Sequence, residues 1–182
     1  MPSALVPLAP GCEDLEAVSI LNVLRRGGVE VTAAGLEAGP VRGARGVVLT
    51  PDAPLAEALE RPFDLVVLPG GQPGTEHLRR DPRLPELLRR QERAGGWIAA
   101  VCAAPRVLSD AGLLRGRRAT CYPGALEGLD HGATLVDAPV VRDGRVVTGR
   151  SAGAAMDFAL ELVGLLQGPA VRAETEARLV RG

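Results

Sequence analysis

The sequence contains no lysine; all 21 of its Lys/Arg positions are arginine. Without an amine side chain no internal Schiff base can form, which excludes lysine-based aldolase and pyridoxal-phosphate chemistry. The Gly-Lys-Ser/Thr phosphate loop is excluded as well, and so is a kinase built around a strand lysine. Aromatic residues are 2% of the chain, so surfaces for stacking bases are scarce. A formal net charge of -1 argues further against a nucleic-acid partner. His77 and His131 are the only histidines, too few for a His-rich metal centre, and both are expected at the surface. Cys12, Cys102 and Cys121 are the only cysteines and form neither a CxxC pair nor a zinc pattern. No metal or organic cofactor is expected. No apolar run approaches the ~20 residues of a membrane span. The start, MPSALVPLAPGCEDLEA, lacks a basic region and is broken by Pro7 and Pro10, unlike a secretory signal. A cytoplasmic, reducing location is expected, with no membrane contact.

What is present is an ordinary globular mixture, 182 residues with 46% hydrophobic and 24% charged. That is about one domain's worth, here residues 1–182. Short apolar runs alternate with longer amphipathic segments. Strands are predicted at Ala4–Ala9, Val29–Gly35, Leu65–Leu68, Trp97–Val101 and Val146–Thr148. Runs this continuous suit strands covered on both faces. Helices are predicted at Glu13–Arg26, Leu84–Ala94, Ser151–Gln167 and, more polar, Val171–Val180. Ser151 is a candidate N-cap. Residues Gly112–Gly144 are the least regular and read as short strands and loops at a sheet edge. This alternation predicts an α/β fold with a mostly parallel sheet and helices on both faces. Ligands of such folds sit at the carboxyl ends of the strands.

Four loops therefore matter. After Ala9 the chain runs Pro-Gly-Cys-Glu-Asp-Leu-Glu, and Glu16 falls between Ile20 and Val23 on the helical wheel. A carboxyl at the margin of an apolar face has a raised pKa and can donate a proton; equally, a first-turn acid can simply suit the helix dipole. After Leu68 come Pro69, Gly70 and Gly71, whose bare backbone lets a ligand approach closely or merely makes a turn. After Val101 comes Cys102, crowded by Ala99, Ala100, Ala103 and Ala104 and followed by Pro105, which suits a first helical turn. A buried inert thiol is one reading. A nucleophile on a tight strand–helix turn is the other, and the location and the alanines favour it. A helix N-terminus there would lower the thiol pKa. The N–H groups of Ala103 and Gly71 would form an oxyanion hole. After Thr148, the Gly149-Arg150-Ser151-Ala152-Gly153 run opens a long helix, another anion-friendly point.

ALVPLAPGCEDLEA, DLVVLPGGQPG, AAVCAAP and GRSAGAAMDFALELV, in this order and across nearly the whole chain, resemble the ThiJ/PfpI superfamily, in its deglycase and YajL-like branch. The resemblance implies a flavodoxin-like three-layer α/β/α sandwich, usually a homodimer. Cys102 matches the oxidation-prone elbow cysteine, Glu16 the protonated glutamate that hydrogen-bonds it, and Gly71 and Ala103 the oxyanion donors. Arg26 and Arg45 match arginines near the family's pocket and dimer contact. Gly70, Arg150, Tyr122 and Cys12 complete the expected pocket. Tyr122 stands where some relatives carry a histidine, which leaves Glu16 as the proton-transfer group. Cys12 reads either as a resolving thiol or as a small loop residue, and Cys121 as a core-facing strand residue.

The function expected on these grounds is a cysteine-dependent stress-response enzyme acting on reactive dicarbonyls or their protein adducts, of deglycase or cofactor-independent glyoxalase type. The alternatives are a redox sensor or chaperone with an oxidisable cysteine, or a hydrolase for another carbonyl substrate. Expected partners are a small dicarbonyl or glycated protein and a second copy of the chain.

Overall fold

A computed structural model describes residues 1–181. Its central sheet has seven strands: β1 (Ser3–Leu8), β2 (Glu30–Gly35), β3 (Ala53–Pro54), β4 (Leu65–Leu68), β5 (Trp97–Val101), β6 (Val140–Asp143) and β7 (Val146–Gly149). Their order is β6-β7-β5-β4-β1-β2-β3. Every neighbouring pair is parallel except β6–β7, an antiparallel edge hairpin. Seven α-helices follow in chain order: α1 (Asp14–Arg26), α2 (Leu55–Ala58), α3 (Gly74–Arg80), α4 (Arg83–Arg93), α5 (Pro105–Asp110), α6 (Ala155–Gln167) and α7 (Pro169–Arg178).

Period-two alternation sorts the strand side chains into two cores. Ala4, Val6 and Leu8 of β1 face one way with Val67, Ala99, Val101 and Val147, and pack against Ala17, Ile20 and Leu24 of α1 and Phe158 and Val163 of α6. Leu5 faces the other way with Val66, Leu68, Ile98, Ala100 and Val146, against Leu55 of α2, Leu78 of α3, Leu84 and Leu88 of α4 and Val107 and Leu108 of α5. Each fully buried Leu or Ile contributes about 1.5–3 kcal/mol over exposure. These two layers flanking a mostly parallel sheet are the three-layer α/β/α sandwich expected from the sequence.

Most elements lie within a residue or two of their sequence-based limits, with instructive exceptions. Ser151 does not cap α6: it is extended, and a 3-10 turn over Ala152–Ala154, closed by Ala154 N–H donating to Ser151 O at 2.9 Å, precedes the helix proper. The stretch 112–144 holds short strands at the sheet edge as expected: Arg118–Ala119 pairs with Thr134–Leu135, and β6 follows. Cys121 is not in a strand. Pairing stops at Ala119, because Thr120 N–H donates to Thr148 Oγ1 (2.8 Å) and Tyr122 N–H to Cys102 O (2.8 Å), drawing the chain across the sheet end. Cys121 is left half-buried against the edge of the core.

Candidate functional site

The loops leaving β1, β4, β5 and β7 are stitched together at the carboxyl end of the sheet. Glu13 N–H donates to Gly70 O (2.9 Å), Gly74 N–H to Gly11 O (3.1 Å) and Cys102 N–H to Gly149 O (2.9 Å). Cys102 sits at the centre with φ of +62°. A side chain in this left-handed conformation costs about 1–2 kcal/mol, so the surroundings must hold it there. They do so through the bonds from its N–H and to its carbonyl, and through the buried Ala99, Ala100, Ala103 and Ala104, which leave room for the turn.

The β4 loop comes within contact distance of this elbow only because it lacks side chains. A Cβ on Gly70 would lie 2.7 Å from Val101 O and 2.8 Å from Cys102 Cβ, and one on Gly71, at φ of +91°, would overlap Glu13 N. The backbone N–H groups of Gly71 and Ala103 both reach the Cys102 sulfur. Gly70 N–H instead donates to Glu16 Oε2 at 2.8 Å.

Glu16 is fully buried, which decides against a partly exposed first-turn acid. Its Oε1 has no hydrogen bond of ordinary geometry, although its carboxyl and the Cys102 thiol interact directly as side chains. Burial pushes the Glu16 carboxyl up to about 7 against the pull of Gly70 N–H and the thiol. Burial, followed by the charge of Glu16, pushes the Cys102 thiol up to about 12 against the two amides. The lowering expected from a helix N-terminus is thus outweighed: α5 has only six residues, while burial and the carboxylate act at close range. Glu16 and Cys102 titrate as one unit, and two buried negative charges side by side are not tolerated near neutral pH.

A cavity of about 600 Å³ opens over the thiol. Cys102, Glu16, Gly71, Ala103, Tyr122 and Arg45, six of the residues singled out in the sequence, line it. Gly70 lies behind it and acts through Glu16. Three others do not meet expectation. Cys12 is buried in the core and its thiol is pushed up to about 11, first by burial, so it is a closed residue and not a wall of the cavity. Arg150 turns its guanidinium away to Asp137. Arg26 is at the far end of α1, ten residues and about 15 Å of helix rise beyond Glu16, where it donates to Asn22 Oδ1 at 2.7 Å. His77 and His131 are half-buried. His77 Nδ1 bonds Pro10 O (2.8 Å) and His131 Nδ1 accepts from Ala133 N–H (3.0 Å); neither lines the cavity.

The cavity also includes Glu13, Gln72, Ala44, Ser151, Ala152 and Gly153. Gln72 and Ser151–Gly153 lie in loops already marked by position. Ala44 belongs to the turn of a hairpin, Val41–Arg42 with Val48–Leu49, which carries no signature in the sequence.

The chain matches the DJ-1/PfpI family over residues 2–165. The chain belongs to this family. Among curated relatives, the protein dj-1beta of Drosophila melanogaster is 44% identical over 168 residues, covering 91% of this chain and 90% of its own. The glutathione-independent glyoxalase DJR-1.2 of Caenorhabditis elegans is 38% identical over 169 residues, covering 92% and 90%. The crystal structure of Drosophila DJ-1beta superposes with a TM-score of 0.96 at 41% identity, over 100% of this chain and 98% of that one. The flavodoxin-like architecture and the DJ-1-like branch are thereby shown. No helix among the described residues is long and apolar enough to cross a membrane.

Proposed function

We propose that this DJ-1/PfpI protein is a cysteine-dependent enzyme that converts reactive dicarbonyls such as methylglyoxal, free or as adducts on protein amines and thiols, to 2-hydroxy acids. One observation carries the reading: two backbone N–H groups and a buried carboxyl converge on one strained thiol beneath an open cavity. The glyoxalase activity in the name of the nematode relative supports the substrate class.

The chemistry follows from the geometry. At rest the raised thiol keeps the pair's proton and Glu16 carries its charge. In the reactive form the proton moves from sulfur to the otherwise unpartnered Oε1 of Glu16, which leaves the negative charge on sulfur facing the N–H groups of Gly71 and Ala103. The thiolate adds to the aldehyde carbon. The C=O electrons move to oxygen, which the same amides stabilise, and Glu16 delivers its proton there to give a thiohemiacetal. The Glu16 carboxylate then takes the proton from that carbon to give an enediol and returns it to the neighbouring carbon, while the hydroxyl proton passes to the former keto oxygen, leaving a 2-hydroxy thioester. Water hydrolyses the thioester, releasing the 2-hydroxy acid and the thiol. The net reaction is addition of one water with an internal redox exchange, so no external oxidant is used. Lactate formation from methylglyoxal is compared between the wild type and Cys102→Ala; equal rates would sink the proposal.

A second reading has its own support. The half-buried Cys102 is reachable from the cavity, and peroxide can take its thiolate through sulfenate to sulfinate, each step using one peroxide and releasing one water. The amides and a protonated Glu16 would hold the sulfinate oxygens. Intact mass after mild peroxide should show a selective two-oxygen gain at Cys102, and oxidation spread over all three cysteines would count against it. We propose homodimerisation as well, supported by the exposed apolar side chains Leu15 and Val18 on α1 and Val47 and Val48 on the hairpin, and a cytoplasmic location.

A further inference from the structure

The hairpin turn that brings Ala44 and Arg45 to the cavity is held to the β1 loop and the start of α1 by three bonds. Gly11 N–H donates to Arg42 O (2.8 Å), Ala44 N–H to Cys12 O (2.8 Å) and Arg45 N–H to Asp14 Oδ2 (2.8 Å). Only the last uses a side chain. Asp14 is 5% exposed, and its Oδ1 is buried with no partner of its own. That oxygen fills the space where a side chain on Gly43 would be: a Cβ there would overlap Oδ1. An acid and a glycine from distant segments are thus fitted together, and burying a half-satisfied carboxylate is costly unless it fixes something. The start of α1 partly offsets that cost, since Asp14 is its first residue and faces the positive end of the helix dipole.

What Asp14 fixes is the backbone of Arg45. The Arg45 guanidinium is largely exposed at the cavity wall, 4.0 Å from Glu13, and only its main chain is tightly held. We infer that Asp14 is a positioning residue: by anchoring the Arg45 amide over the empty side of Gly43, it sets the guanidinium at the cavity wall, where its N–H donors meet the second carbonyl oxygen of a dicarbonyl. Asp14 takes no part in the chemical step. The inference rests on the dicarbonyl reading for its kinetic arm and on the fold alone for its dynamic arm.

The test combines steady-state kinetics with amide hydrogen exchange. In Asp14→Ala, KM for methylglyoxal should rise roughly three- to tenfold, with kcat and the iodoacetamide rate at Cys102 within about twofold of wild type. Exchange at the Arg45 amide should accelerate about tenfold or more, while Val6 and Ala99 in the sheet stay protected. Asp14→Asn, which keeps an acceptor oxygen, should restore both readouts, and Gly43→Ala should reproduce the loss. Arg45→Ala should raise KM by a similar factor, and adding Asp14→Ala to it should change KM little further. Unchanged exchange at Arg45, faster exchange with unchanged KM, or a fall in kcat with unchanged KM each overturns the inference. If the wild type turns over no dicarbonyl, the proposed function fails, and exchange at Arg45 alone decides whether the clamp exists.

Discussion

The carboxyl of Glu16, on the first turn of α1, lies against the thiol of Cys102 at the end of β5, and the charge on the carboxylate helps to push the thiol up to about 12. Neither group can be assigned a role without the other, because together they keep a proton that two isolated groups would lose separately.

This pairing has a signature in stability against pH. Glu16 is raised from 4.5 to about 7 in the fold, so the native state holds a proton that the unfolded chain has released. Its contribution is fully present below the unfolded value and is lost as pH rises through about 7. Denaturant melts should therefore show stability falling from roughly pH 4.5 to 7, and Glu16→Gln should flatten that slope while lowering lactate formation at least about a hundredfold. An unchanged slope in the variant would contradict the burial argument.

The elbow trades stability for geometry. Cys102 pays about 1–2 kcal/mol for its left-handed backbone, and glycine would not. Cys102→Gly should melt above Cys102→Ala, which keeps the strained Cβ, and both should be inactive. Differential scanning calorimetry of the two proteins checks the order; a less stable glycine variant would mean that the elbow is unstrained.

Close approach of the β4 loop makes a sharper demand. In Gly70→Ala the new methyl would press on Val101 O and Cys102 Cβ at 2.7–2.8 Å. A destabilisation of about 1–3 kcal/mol is expected, as for other overpacked sites, with loss of rapid iodoacetamide reaction at Cys102. A variant with wild-type melting and wild-type thiol reactivity would show that the contact can relax without cost.

Leu15 and Val18 on α1 and Val47 and Val48 on the hairpin leave apolar side chains exposed. If a second copy covers them, Val48→Asp should shift sedimentation from dimer toward monomer, because a charge in a dry interface is costly. A wild-type monomer at micromolar concentration would remove the dimer from this account.

Much of this was legible in the sequence, for physical reasons that can be named. Strands β1, β4 and β5 read clearly because both their faces are buried, which turns Leu65–Leu68 and Trp97–Val101 into unbroken apolar runs. The elbow showed through the alanines that its backbone requires. Glu16 was half legible: the helical wheel put it beside the apolar face, but only the fold brings Gly70 and Cys102 to it. Arg26 lies outside the cavity because its place along the helix axis is far beyond Glu16, a distance that matching residue types do not carry. Asp14, Gly43 and Ala44 were invisible, since their relation joins a helix start to a hairpin turn across a contact that no local pattern encodes.

The most direct test of the central claim is the fate of methylglyoxal on the Glu16→Gln protein. With proton transfer blocked, the thiohemiacetal should accumulate; native mass spectrometry of the intact protein, which keeps this reversible adduct, should show one more methylglyoxal unit on Glu16→Gln than on Glu16→Gln/Cys102→Ala, with no lactate released. A chain without lysine leaves arginine as the main competing site. The same mass gain in both variants, as for adducts confined to arginines, would contradict the account.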